Sequence, residues 1–87
     1  HIAWWLRNTA RFDTLIGRPD LAAPLLGAEA SIRGDTIVAL WDRPYLDACV
    51  ESVRDSLGDE TYRQAFAAGG RLDRSAAIDA GYTGLQD

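Results

Sequence analysis

Apolar residues recur along this chain at helical spacing, and strand alternation is nowhere sustained. In residues 2 to 16, Ile2, Trp5, Leu6, Phe12, Leu15 and Ile16 come at three- and four-residue steps with Arg7, Asn8, Arg11 and Asp13 between them. That is the period of an amphipathic helix with one apolar face. Gly17 can take the left-handed conformation that closes a helix, and Pro19 cannot donate to a continuing one, so the helix is predicted to stop there. A second helix is predicted over 21–33, with Leu25, Ala28 and Ile32 on one stripe flanked by Leu21 and Leu26. Pro24 fits this helix from its first turn, where a missing N–H has no intrahelical partner to lose. Ala22, Ala23, Gly27 and Ala30 are short enough to let another helix axis approach closely.

The third helix is predicted over 43–57: Asp42 stands as N-cap, Pro44 falls in the first turn, and Leu46, Cys49, Val50, Val53 and Leu57 follow at helical spacing up to Gly58. Asp59 is expected to cap a fourth helix over 59–68, with Tyr62, Ala65 and Phe66 on one face before Gly69-Gly70 punctuate its end. Asp73 is expected to cap a short fifth over 73–81 through Ala77 and Ile78, with Tyr82 as its furthest apolar candidate. The connector 34–43 carries Ile37, Val38, Leu40 and Trp41, apolar residues that must pack although no second strand offers them a partner. The expected architecture is all-α: about five short helices in antiparallel pairs, forming a single domain over residues 1–87, a length that supports one core only.

Composition narrows the partners. Thirteen acids stand against nine Arg with no Lys, a formal charge of −4, where a duplex-binding surface would carry a basic excess. Direct nucleic-acid binding is therefore not expected. Apolar runs reach only five residues, far below the ~20 that cross a bilayer, so no membrane partner is expected. Cys49 is the one cysteine; an intramolecular disulfide is impossible, and a reducing cytoplasm is the expected compartment. A chain opening on His1 and holding no Met reads as part of a longer polypeptide.

No catalytic constellation emerges. A nucleophilic Cys49 would need a neighbouring base, yet the one His is His1 and Cys49 falls on the apolar stripe of its helix. Asp55, Asp59 and Glu60 cluster near a helix end without the 12-residue ligand pattern of a calcium loop. "GRPDLAAPLLGAEA" lacks the Lys-Ser/Thr ending of a phosphate loop, and "RGD" at 33–35 is what a helix stop followed by a turn produces by itself. No catalytic, cofactor-binding or metal residue is expected. Trp4, Trp5 and Trp41 remain as an interaction surface: adjacent indoles on a helix diverge by ~100°, so one of Trp4 and Trp5 faces the core and the other faces elsewhere.

"GRPDLAAPLLGAEASIR" followed by "YLDACVESVRDSLGDETYRQAFAAGGRLDRSAAIDAG" resembles the C-terminal helical region of large bacterial signal-transduction ATPases and LuxR-type transcriptional regulators. Leu25, Leu26, Gly27 and Ala28 match the Leu-Leu-Gly-Ala run that ends a tetratricopeptide-like array in that family. Leu57, Gly58, Asp59, Glu60, Phe66, Ala67, Gly70, Arg71 and Leu72 match a later ordered set, and the likeness covers about residues 10 to 80. Pro24, where the family has a helix former, and the apolar connector depart from it. The resemblance implies a tetratricopeptide-like hairpin at the N-terminal end and a non-catalytic regulatory module. Its partner would be protein: other domains of the same chain, or a second copy in a homodimer. The rival readings are a stand-alone ligand-binding or enzymatic helical domain, which would need convergent polar groups in a cavity, and a structural cap on a helical repeat.

Overall fold

Five helices follow one another in the computed structural model, which describes residues 2–34, 40 and 42–86. They are α1 (Ile2–Leu15), α2 (Pro19–Arg33), α3 (Arg43–Leu57), α4 (Asp59–Gly70) and α5 (Arg74–Gln86), with no strand among the described residues. The chain is all-α. The connector residues Ile37 and Val38, and Trp41 with them, lie outside the described residues; Leu40, expected to pack, is instead exposed. α1 and α2 form a helical hairpin, and α2 touches each of the other four helices. Its Ala22, Ala23, Leu25, Leu26 and Ala28, none more than 2 % exposed, form the centre of the core. Around them stand Leu6 and Ala10 of α1, Leu46, Cys49 and Val53 of α3, Tyr62 of α4 and Ala77 of α5.

The hairpin turn follows from Gly17. With φ at 79° it takes the conformation an L side chain resists. The Arg18 N–H then reaches back to the Asp13 carbonyl at 2.8 Å and the Gly17 N–H to the Thr14 carbonyl at 3.2 Å. These are the two bonds of a Schellman cap. Asp73 caps α5 as its position predicts, accepting from the Ala76 N–H at 2.8 Å.

Other ends differ from the sequence reading. α2 begins at Pro19, two residues early, so Pro19 occupies the first turn and Pro24 sits inside the helix. The carbonyl that Pro24 leaves without its helical donor belongs to exposed Asp20, where water can serve it. Asp42 makes no cap bond with its side chain, because its carboxylate is held instead by Arg7 of α1 at 2.9 Å. Asp59 stands one place inside α4, and Gly58 serves both as the last cap of α3 and the first of α4.

The buried face of α1 also differs. Ala3, Leu6, Thr9, Ala10 and Asp13 face inward, while Phe12, Leu15 and Ile16 of the expected apolar face are exposed, Leu15 at 75 %. The short side chains win the interior because Ala22 and Ala23 of α2 let α1 lie close along it, and a close approach excludes most bulk from the α1 side. The same logic governs the crossing of α2 and α4. A Cβ on Gly27 would overlap the Phe66 carbonyl, and one on Gly69 would overlap the Pro24 carbonyl. Gly27 thus does what its size predicts. Gly69 and Gly70 are not stops: α4 runs through both, and Gly69 is there so that two backbones can touch. α5 likewise continues past 81 to Gln86, since Gly81 and Gly84 lie against α1 where any side chain would collide.

Candidate functional site

α1 and α5 meet through small residues on one and large ones on the other. Ala77, Gly81 and Gly84 form a buried stripe on α5. The six-membered ring of Trp5 lies where a Gly81 side chain would begin, so Trp5 is anchored and partly buried. Its ring also meets Tyr82 at 5.2 Å between centroids, tilted by 50°, a favourable aromatic geometry. Trp4, one residue earlier, turns away and is 54 % exposed. Together Ile2, Trp4, Trp5, Ile78 and Tyr82 line an open apolar groove of about 310 Å³. The two tryptophans thus divide as their adjacency requires, Trp5 inward and Trp4 outward. Trp41 lies outside the described residues.

Outside the groove, Phe12 and Leu15 on α1, Ile16 just beyond it and Leu85 on α5 also stand exposed. Exposed Asn8 separates Trp4 from Phe12 along α1, and Leu15 turns toward α3, where it lines a second groove with Tyr45, Ala48 and Cys49. Singly exposed apolar residues are ordinary on protein surfaces, whereas a set that encloses one apolar space, as Ile2, Trp4, Trp5, Ile78 and Tyr82 do, marks a contact surface. Sequence periodicity gave Phe12, Leu15 and Ile16 to the core and did not single out Ile78 or Tyr82 for the groove. The available signal was the small-residue series Ala77, Gly81, Gly84, which marks the buried side of α5 and so places Ile78, Tyr82 and Leu85 beside it.

Charge chemistry is concentrated elsewhere. Glu29 of α2, side chain 1 % exposed, accepts from Arg7 Nε at 3.2 Å and from Arg33 Nε at 2.8 Å and Nη2 at 3.3 Å. Arg7 also donates to Asp42 beside α3 at 2.9 Å. Two cations and two anions close on one another, which satisfies buried Glu29 and ties α1, α2 and the start of α3 together without leaving an open charge.

Cys49 is buried on the inner face of α3, as its stripe predicts. The Thr14 hydroxyl gives its proton to the Ala10 carbonyl at 2.8 Å. Toward Cys49 Sγ, 3.3 Å away, it therefore accepts, and the thiol keeps its proton. Burial pushes the Cys49 thiol above its ordinary range, the opposite of what a nucleophile needs. Asp55, Asp59 and Glu60 are all exposed; Asp59 lies 3.9 Å from Arg54 and Glu60 pairs with Arg63. Among the described residues no three His, Cys, Asp or Glu side chains gather as a metal site. No described helix is long and apolar enough to cross a membrane.

Asp13 escapes sequence reasoning. It was counted with the polar separators of α1, yet it is fully buried and neither carboxylate oxygen has a hydrogen-bond partner among the described residues. Burial raises its pKa to about 6, against the opposing pull of the Arg18 charge and with a smaller push from Asp20. In most Schellman caps the corresponding pair makes an apolar contact; here it is Arg18 and Asp13.

Compared with known proteins, the chain matches no family model, no curated protein and no solved structure.

Proposed function

We propose that this chain is a non-catalytic helical module that regulates through protein contacts, and that the α1–α5 groove is its contact surface. The observation that carries the reading is Trp4. A half-exposed indole set in an apolar groove beside an anchored Trp5 and Tyr82 has the composition of an interaction hot spot. The groove presents apolar and aromatic surface without an acid–base pair, so it suits a packed helix better than a reacting substrate. Its occupant is an apolar helical segment of a partner protein or neighbouring domain, a place that a second copy of the chain takes when the protein is alone.

We further propose as its setting a bacterial ATPase-linked transcriptional regulator of the LuxR type, in the cytoplasm. What supports this is the ordered residue set quoted above. Two of its separate segments meet at the α2–α4 crossing, where a Cβ on Gly70 would lie 3.7 Å from the Gly27 carbonyl oxygen.

Sedimentation of wild type, Trp4→Ala and Trp5→Ala at matched concentrations tests the groove. Wild type is expected to dimerise, and Trp4→Ala to weaken the dimer tenfold or more, which is ~1.4 kcal/mol. Trp5→Ala is expected to lower folding stability instead, by about 2–3 kcal/mol through the void left against Gly81. A wild type that stays monomeric at high micromolar concentration overturns the proposal.

A further inference from the structure

Asp13 and the groove are joined by one helix. α5 supplies Ile78 and Tyr82 to the groove, and near its end the same helix lies over Asp13: a Cβ on Gly84 would overlap Asp13 Oδ1. The carboxyl is therefore covered by α5 backbone at Gly84 and, among the described residues, neither of its oxygens has a donor. A neutral carboxyl tolerates such a place, whereas an ionised one strongly favours hydration. Gly84 stands against Oδ1, so α5 must yield for water to reach that oxygen.

Of the surrounding charges, Arg18 opposes the effect of burial on Asp13 without overcoming it, and Asp20 adds to it. At the start of α2, Arg18 holds Asp20 through Nε and Nη2, both at 3.3 Å, and Asp20 adds a like charge to the neighbourhood. From α3 the Cys49 thiol, protonated, meets the neighbouring Thr14. From α5 the group in contact is the backbone of Gly84, which carries no charge. Arg11 on α1 is drawn over the Tyr45 ring at 4.6 Å.

We propose that Asp13 is a proton-operated latch on α5: with the carboxyl neutral the helix lies on α1 and the groove is whole, and with it ionised α5 lifts and the groove comes apart. The inference rests on the reading of the groove as a contact surface, and it adds that the surface is regulated by pH. The sign follows from linkage. The Asp13 pKa with α5 seated is about 6 against 3.8 for an ordinary carboxyl, so the seated state binds the proton more tightly. Seating is fully favoured below about pH 3.8, weakens as pH rises, and has lost that contribution above about pH 6.

Hydrogen exchange of backbone amides, followed by NMR on the whole chain at low concentration and corrected for intrinsic rates, tests the latch without any occupant. Relative to α3, protection of α5 amides is expected to fall roughly a hundredfold between pH 4 and pH 7.5 in wild type, since each pKa unit is tenfold. It is expected to stay flat in Asp13→Asn. Parallel α3 and α5 profiles in wild type overturn the latch. Should Asp13→Asn fail to fold, a carbon-13 titration of the Asp13 carboxyl in wild type decides the matter: a midpoint near 6 supports the latch and one at or below 4 overturns it. Sedimentation at pH 5 and pH 7.5 tests the link to the groove. Tighter dimers at pH 5 in wild type but not in Asp13→Asn support it. An equal gain in both reflects the general loss of negative charge in acid and overturns the link even where the exchange data stand.

Discussion

Glu29 shows what a single buried charge does when its neighbours are arranged first. Its carboxylate bridges Arg7 from α1 and Arg33 from its own helix one turn on, and Arg7 carries the link to Asp42. Removing Glu29 leaves two guanidiniums turned toward a vacated pocket. Glu29→Ala is expected to destabilise the fold by about 2–3 kcal/mol, at the lower edge of values for a broken buried pair because both arginines can partly rehydrate. Urea unfolding with an unchanged m-value is the measurement; a loss under about 0.5 kcal/mol would mean that the bridge is no stronger than a surface pair. At this scale the sequence was uneven as a guide. The inward position of Cys49 was legible because its neighbours at three- and four-residue steps are apolar. Glu29 and Asp13 were not, because a charged residue in a helical pattern is assigned to solvent unless its partners, or their lack, are seen in three dimensions.

Helix contacts here are made by what side chains lack. α2 and α4 cross where Gly27 and Gly69 let backbones meet, while a Cβ on Gly70 would find only an ordinary 3.7 Å contact. Neighbouring glycines in one helix should therefore respond oppositely to the same change. Gly69→Ala is expected to cost more than about 3 kcal/mol, because the Pro24 backbone must move aside. Gly70→Ala is expected to be neutral or to stabilise by up to ~1 kcal/mol through helix propensity. Thermal melts of the two variants make the comparison; equal effects would remove the close-crossing account. The existence and order of the five helices were legible from period and punctuation. The inward side of α1 was not, because the pattern weighs an apolar face by bulk, whereas a close-packed pair selects for smallness. For the same reason Gly69 of α4 reads as an end when it is a contact.

At the scale of the molecule, α2 is the axis and the outer side of α1 is the face turned outward. From Trp4 to Ile16 that side extends over thirteen residues, a rise of ~18 Å, long enough to lie along a partner helix. Leu15, three-quarters exposed, should matter to association and not to folding. Leu15→Lys is expected to leave stability within about 0.5 kcal/mol of wild type while weakening the dimer several-fold, read by denaturation and sedimentation on the same preparation. A loss of stability with unchanged association would return Leu15 to the core. The candidate site was legible in part: Trp4 and Trp5 could be named and their divergence derived, but the wall they share with α5 depends on how two helices distant in sequence lie together. Gly58 gives the assembly one more property. With φ at 85°, it ends α3 and starts α4 with no spacer residue between them. The two helices form an elbow with a single pivot and no slack. That one residue sets the direction in which α4 leaves α3, and with it the line on which Gly69 comes to Pro24 of α2, as a hinge pin sets the line on which a door meets its frame.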